Sequence, residues 1–133
     1  EKNEEVNIIE DYKYSYNIAV EYYMEKKYDS SLEILNKLIL FDGEDNLADN
    51  SQFWIGQIYY LQKEYKLAIE EYLKVFTLGD KNKAADASYK IALSYFNLGM
   101  IDKALEYFSI IVSSYPSNID LVNKSKKYIE RFK

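Results

Sequence analysis

Residues 51–72 read SQFWIGQIYYLQKEYKLAIEEY and set the pattern that recurs along the chain. The apolar residues return every three or four positions, which is the spacing of one face of an α-helix, and the stretch predicts the two helices of a hairpin. Each predicted helix has a small residue where it approaches the other, Gly56 in the first and Ala68 in the second. A larger side chain at either position would push the helices beyond their usual separation of about 8–10 Å.

Two further segments have the same pattern, residues 14–35 (YSYNIAVEYYMEKKYDSSLEIL) and residues 87–108 (ASYKIALSYFNLGMIDKALEYF). The small residue of the second helix recurs at Ser31, Ala68 and Ala104, which gives spacings of 37 and 36 residues. The small residues of the first helices recur in register, at Ala19, Gly56 and Ala92. The sequence therefore predicts three helical hairpins of one kind.

These hairpins resemble the tetratricopeptide repeat, which has a period of about 34 residues and a small residue in each helix. The additional residues of this chain fall in the links near 42–50 and 79–84, and loop insertions of this size cost little free energy. The resemblance covers nearly the whole chain. It implies an all-α fold, a right-handed α-solenoid of three tetratricopeptide-like hairpins followed by a C-terminal capping helix.

A single domain is predicted over residues 1–133, with seven helices. The helices are expected at about residues 10–26, 29–41, 48–62, 65–78, 83–98, 101–114 and 118–131. The repeats are expected at about residues 12–46, 48–82 and 84–117, after a frayed acidic lead-in at residues 1–9. Pro116 follows the sixth helix as a stop signal. The seventh helix is expected to cover the open end of the third hairpin with its apolar residues, Leu121, Val122, Tyr128, Ile129 and Phe132.

The charge of the chain is unevenly distributed. The net charge of −5 disfavours nucleic-acid binding, which needs a basic face. Residues 1–11 contain five acidic side chains against one lysine, whereas residues 121–133 contain five basic side chains against one glutamate. The two ends are interpreted either as solvated ends or as surfaces through which copies of the chain associate head to tail, by an attraction that salt would weaken.

No catalytic, cofactor-binding or metal-binding residues are predicted. The chain has no histidine and no cysteine, and it contains no glycine-rich phosphate loop and no nucleophile elbow. Acidic residues cluster in one link, at Asp42, Glu44, Asp45 and Asp49. Their spacing is not that of a calcium-binding loop, so a solvated acidic link is predicted. No apolar stretch is long enough to span a membrane, and the sequence predicts no enzyme.

The first helix of each hairpin has two apolar stripes, one facing the second helix and one facing the concave side of the stack. The packing stripe is assigned to Ile18, Tyr22, Ile55, Tyr59, Ile91 and Tyr95. The partner-binding groove is assigned to Tyr16, Val20, Tyr23, Phe53, Gln57, Tyr60, Tyr89, Leu93 and Phe96, referred to below as the groove residues. Six of these nine are aromatic, and both an exposed binding ladder and plain packing between helices remain open interpretations.

One subfamily resembles the sequence more closely. Residues 51–60 and 64–69, together with residues 84–91 and 114–117, are similar to the C-terminal repeats of the Tol–Pal-associated cell-division coordinator of Gram-negative bacteria. The repeats of the outer-membrane assembly lipoprotein are a weaker match. The resemblance implies a periplasmic or envelope-associated, non-catalytic adaptor that binds another protein. Because the chain begins with Glu1, it is expected to be a processed or excised piece.

The expected partner is a protein or peptide of apolar or aromatic character. Repeats that clamp C-terminal carboxylates resemble one another in basic and asparagine residues along the groove. At the matching positions this chain has Tyr16, Val20, Phe53, Gln57, Tyr89 and Leu93, which cannot pair with two carboxylates. A helix or extended segment is therefore expected to bind. The alternative function is a structural or oligomerisation module that self-associates or assembles within a larger complex.

Overall fold

The computed structural model describes residues 12–41, 47–79 and 81–133, and over these ranges the chain forms α-helices and one short 3₁₀ segment, with no strand. The helices are α1 Tyr12–Met24, α2 Tyr28–Phe41, α3 Ala48–Leu61, α4 Tyr65–Leu73, α5 Ala84–Asn97, α6 Ile101–Ser114 and α7 Ile119–Arg131. The predicted all-α helical-repeat solenoid is confirmed. The predicted acidic lead-in and the first residues of the first predicted helix lie outside the described residues.

Consecutive helices pack against one another along the chain. Hairpins form from α1 with α2, α3 with α4, and α5 with α6, and each second helix also packs against the first helix of the next hairpin. The helix α7 packs against both α6 and α5. One predicted helix differs in detail, because α4 ends at Leu73 and the chain continues as the 3₁₀ segment Lys74–Thr77.

Small residues allow the helices of each hairpin to approach closely. Ala19, Ala68 and Ala104 have no exposed surface, and the Ser31 hydroxyl donates a hydrogen bond of 2.8 Å to the Ala19 carbonyl across the first hairpin. In the second hairpin the ring of Tyr72 covers Gly56, so that a Cβ atom at position 56 would lie 2.4 Å from a ring carbon. The aromatic residue on α4 therefore requires glycine here.

The same turn joins the two helices of every hairpin. Lys26, Lys63 and Gly99 occupy equivalent positions and have positive φ angles of 62°, 62° and 76°. In each turn the next amide donates a hydrogen bond to a tyrosine carbonyl near the end of the first helix, at 2.8, 3.0 and 2.9 Å. A left-handed backbone costs a residue with a side chain about 1–2 kcal/mol, so the two lysine turns are strained where the glycine turn is not.

The capping helix closes the end of the third hairpin. The Tyr128 ring stacks on the fully buried Phe108 ring with a centroid distance of 4.4 Å and an interplanar angle of 6°. Leu121 and Val122 are buried against Ile111 of α6. The side chain of Asn118 caps α7 by accepting a hydrogen bond of 3.2 Å from the Leu121 amide. These contacts fix α7 beside α5, where its charged residues adjoin the groove residues of the third hairpin.

Asp49 departs from its predicted solvated environment. It is fully buried in the first turn of α3, and its Oδ2 atom accepts a hydrogen bond of 3.0 Å from the Lys83 amide just before α5. A buried carboxylate needs a hydrogen-bond donor, and because the Lys83 amide supplies one, Asp49 helps to position α5 relative to α3. Separately, the side-chain amide of Gln52 donates a hydrogen bond of 2.9 Å to the Glu71 carbonyl. The other three acidic residues of this link lie outside the described residues.

Candidate interaction groove

The groove residues lie on α1, α3 and α5, three on each helix. Eight of the nine are half-buried, and the exception is Phe53, with only 8% of its surface exposed. The six residues of the packing stripe divide differently, because Ile55 and Ile91 are buried while the other four are half-buried. Most of the predicted groove residues thus have one side packed and one side open to solvent.

Phe53 is part of the core and not an exposed groove residue. Its ring lies 5.6 Å from the Tyr72 ring centroid and belongs to the same buried cluster as Ala87 and Ile91 of α5. The Lys83 ammonium lies 5.6 Å from its centroid. The apolar stripe on α3 predicted the side of the helix on which Phe53 lies. A pattern read along one helix does not show that α5 of the next hairpin covers this position.

Trp54 connects α1 to α3. Its indole Nε1 donates a hydrogen bond of 2.7 Å to the Tyr16 hydroxyl, and its ring lies 4.7 Å from the Tyr23 ring centroid. Burial raises the pKa of both tyrosines, so they stay neutral at ordinary pH. Trp54 is not among the predicted groove residues, although it is the single tryptophan of the chain and adjoins Phe53.

Lys90 of α5 occupies the repeat position equivalent to Trp54 and contacts α3, as Trp54 contacts α1. Its ammonium lies 4.5 Å from the Tyr60 ring centroid, and the side-chain amide of Asn97 donates to the Tyr60 hydroxyl at 3.4 Å. The Tyr65 ring packs edge-on against Tyr60 at 5.4 Å. Burial, with a smaller contribution from the nearby Lys124 charge, lowers the pKa of Lys90. Lys90 is likewise absent from the predicted groove residues, because the stripes that define them were drawn through apolar positions.

The capping helix partly covers the groove residues of α5. The Phe96 ring lies 5.3 Å from the Tyr128 centroid and 5.7 Å from the Phe132 centroid. The Tyr89 ring packs edge-on against Phe108 at 5.8 Å. These aromatic residues therefore pack between helices and also contribute to the partly exposed surface.

Each first helix has one groove residue that is not aromatic, namely Val20, Gln57 and Leu93. All three are half-buried. The Gln57 side-chain oxygen accepts a short hydrogen bond from the Tyr72 hydroxyl, which fixes the amide beside the half-buried Tyr23. The half-exposed Val20 and Leu93 lie among aromatic groove residues, and such a surface suits the apolar side chains of a peptide or protein.

A basic pocket of about 320 Å³ lies at the α7 end of this surface. It is lined by Tyr89, Lys124, Lys127, Tyr128 and Arg131. Lys124 forms an exposed ion pair of 3.1 Å with Asp120. The lysines of α7 were predicted to face water, and the pocket is not evident from the repeat pattern because α7 lies outside the three hairpins.

Within residues 12–41, 47–79 and 81–133, no group of three or more acidic side chains is arranged to hold a metal ion. Over the same ranges, no helix combines the length and apolar character that crossing a membrane requires.

Two of the three hairpins match models of a known repeat family. Residues 50–82 match one family model described as a tetratricopeptide repeat, and residues 86–118 match a second model with the same description. These segments correspond to the hairpins of α3 with α4 and of α5 with α6. No curated protein sequence matches the chain. The stacked hairpins and the two matches lead to the same conclusion, that residues 50–82 and 86–118 of this chain are tetratricopeptide repeats.

Proposed function

We propose that the chain is a non-catalytic adaptor that binds a peptide or protein segment along the groove residues of α1, α3 and α5. The observation that carries the proposal is the row of half-buried apolar and aromatic side chains that runs across all three hairpins. Tetratricopeptide domains are generally interaction modules, and such a row supplies the partly exposed aromatic anchors on which protein interfaces depend.

The best test uses groove residues whose side chains are aliphatic and only half-buried, and which therefore form no ring contact or side-chain hydrogen bond with another helix. Tyr16, Phe53 and Tyr89 are poor targets, because each packs against or bonds to another helix. Val20 and Leu93 are half-buried, and Leu93 also packs beside the buried Ala92 and Phe108. Because a lysine can keep its aliphatic stem on apolar surface and its ammonium in water, Val20→Lys with Leu93→Lys is expected to abolish capture of the partner while leaving helicity unchanged. Leu40→Lys with Leu67→Lys is the matched control, since both leucines are exposed on second helices.

The resemblance to the Tol–Pal-associated coordinator leads us to place this adaptor in the cell envelope of a Gram-negative-type bacterium. The corresponding experiment is capture from separate envelope and cytoplasmic extracts, with the wild-type chain and both double variants as bait. A partner found in the envelope extract, lost with the groove variant and kept with the control, would support both parts. Equal capture by both variants would overturn the groove, and capture only from cytoplasm would overturn the compartment.

A structural or oligomerisation role is the second candidate, and the uneven charge of the chain favours it. Residues 119–133 contain five basic and two acidic side chains, a local net charge of +3 in a chain whose net charge is −5. Opposite charges at the two ends permit heterologous association of copies.

A further inference from the structure

We propose that the basic pocket between α5 and α7 binds acidic side chains of the partner segment that lies along the groove residues. The inference rests on the proposed function and deepens it, because it states the chemistry of the partner. The partner segment combines an apolar stretch, which lies along α1, α3 and α5, with neighbouring aspartate or glutamate residues, which lie over α7.

The helix α7 continues the groove surface by one repeat position. Residues of α7 follow those of α5 at an offset of 34 positions, which is the period of the tetratricopeptide repeat. Buried residues match buried residues at this offset, namely Ala87 with Leu121, Ser88 with Val122 and Ile91 with Ser125. At the same offset Lys127 occupies the position of the groove residue Leu93, and Lys124 occupies that of Lys90. A segment that extends beyond α5 along the groove therefore meets cations.

The positive charge of the pocket is only partly neutralised. Among the residues that the structure describes, no carboxylate lies within 4.0 Å of the Lys127 ammonium or the Arg131 guanidinium. Lys124 has one such partner, in an exposed ion pair. Lys90 and Lys124 repel each other nearby, which contributes to the lowered pKa of Lys90. Carboxylates in this pocket would relieve the repulsion and accept charge-assisted hydrogen bonds.

The shape of the pocket favours side chains of a peptide over an anionic membrane or a nucleic acid. Its cations surround a recess of about 320 Å³ that is lined in part by Tyr89 and Tyr128. Such a recess admits individual side chains, whereas a bilayer surface or a phosphate backbone contacts cations that project from the protein. The net charge of −5 also opposes the approach of either polyanion. Tyr89 is itself a groove residue, so one segment can occupy the groove and the pocket together.

The chain's own acidic segment, residues 1–11, fits this combined surface less well than a partner does. Neighbouring first helices contact one another in the order α1, α3, α5 and α7. Three steps at usual packing distances therefore separate α1 from α7, about 24–30 Å along the groove. Glu10 and Asp11 directly precede α1 and fall far short, because a chain spans at most about 3.6 Å per residue.

The acidic residues within residues 1–5 could reach α7 only if residues 6–11 were held extended across the groove, at a cost in conformational entropy. Residues 6–11 contain no aromatic side chain with which to anchor themselves on the groove residues. A partner segment is under neither restriction, so the combined surface favours a partner.

Selection from a library of random peptides tests the partner chemistry directly. Peptides of about 12 residues are long enough to extend from α1 to α7. The wild-type chain is expected to enrich peptides that have an apolar stretch with acidic residues on one side of it. The pocket variant, Lys127→Glu with Arg131→Glu, should still enrich the apolar stretch but lose the preference for acidic residues. The groove variant, Val20→Lys with Leu93→Lys, should lose the apolar stretch.

The affinity of one enriched peptide, carrying a fluorescent label, measures the contribution of the pocket. At about 20 mM salt, Lys127→Gln with Arg131→Gln should weaken binding about tenfold, and about 0.5 M salt should remove most of that difference. The matched control is Lys66→Gln with Lys126→Gln, which removes the same charge from exposed residues outside the pocket. The control should change the affinity by less than about twofold.

The proposal is overturned if the wild-type chain enriches apolar peptides without acidic residues, or if the glutamine pocket variant and its control bind the acidic peptide equally. It is also overturned if Glu1→Gln, Glu4→Gln and Glu5→Gln together tighten binding of the peptide severalfold, because the chain's own segment would then be the occupant. A low-salt mass above that of one chain, lost in the pocket variant, would assign the pocket to a second copy instead.

Failure of the proposed function gives a different result from failure of this inference. In that case no peptide with an apolar stretch is enriched, or the groove variant enriches the same apolar peptides as the wild type. Enrichment of apolar peptides that depends on the groove but shows no preference for acidic residues would leave the proposed function intact and refute the role of the pocket alone.

Discussion

Replacing Gly56 by alanine tests the packing on which the second hairpin depends. The added Cβ would lie 2.4 and 2.5 Å from two carbons of the Tyr72 ring, so the ring would have to withdraw by about 1 Å to restore ordinary contact. Tyr72 has no exposed surface and its hydroxyl is bonded to Gln57, so the ring has little room to move. Such overpacking costs about 1–3 kcal/mol, and the restricted ring favours the upper part of that range.

The opposing effect is the helix propensity of alanine, which favours the substitution by about 1 kcal/mol. The net expectation is a loss of about 1–2 kcal/mol in the free energy of unfolding, measured by urea denaturation followed by circular dichroism. In the background of Tyr72→Leu the obstructing ring is absent, so Gly56→Ala should there become neutral or stabilising. An increase in stability on introducing Gly56→Ala into the otherwise wild-type chain would refute the close approach of ring and glycine.

Three further predictions concern the turns, the aromatic contacts and alkaline pH. Lys63→Gly should raise the free energy of unfolding by about 0.5–1 kcal/mol by relieving a positive φ angle, and Gly99→Ala should lower it similarly, as urea titrations would show. Trp54→Phe should cost about 1 kcal/mol, because the Tyr16 hydroxyl loses its indole donor, and Tyr16→Phe should add little to that loss in a double-mutant cycle. Burial raises the pKa of Tyr72, so the folded chain favours the neutral phenol. The contribution of Tyr72 to the free energy of unfolding is therefore complete below about pH 10, and at higher pH it declines by about 1.4 kcal/mol per pH unit. Tyr72→Phe should flatten that alkaline decline, and an unchanged slope would contradict the assignment.

The hairpins could be predicted from the sequence because their signals are local. The small residues Ala19, Gly56 and Ala92 recur at nearly constant spacing, and each must lie at a helix contact. The bounds of the helices follow from the same periodicity, apart from the 3₁₀ continuation after Leu73. The need for glycine and not alanine at position 56 depends on the ring of Tyr72, which the repeat alignment does not reveal.

The candidate site was only partly predictable, since its details arise where hairpins meet. The apolar stripe placed Val20 and Leu93 on a half-exposed surface, but it also included Phe53, which α5 buries. It omitted Trp54, because a stripe drawn along one helix does not include the residue that contacts the preceding helix. The cations of α7 were interpreted as solvated because the partner of that helix face, α5, is distant in sequence.

Hydrogen exchange of the chain with and without its captured partner tests the central claim most directly. If the partner lies along the groove residues, amides of α1, α3 and α5 should be protected on binding, while those of α2, α4 and α6 should exchange as in the free chain. The Val20→Lys and Leu93→Lys variant should lose that protection. Protection confined to the second helices, with no change in α1, α3 and α5, would contradict the proposed groove.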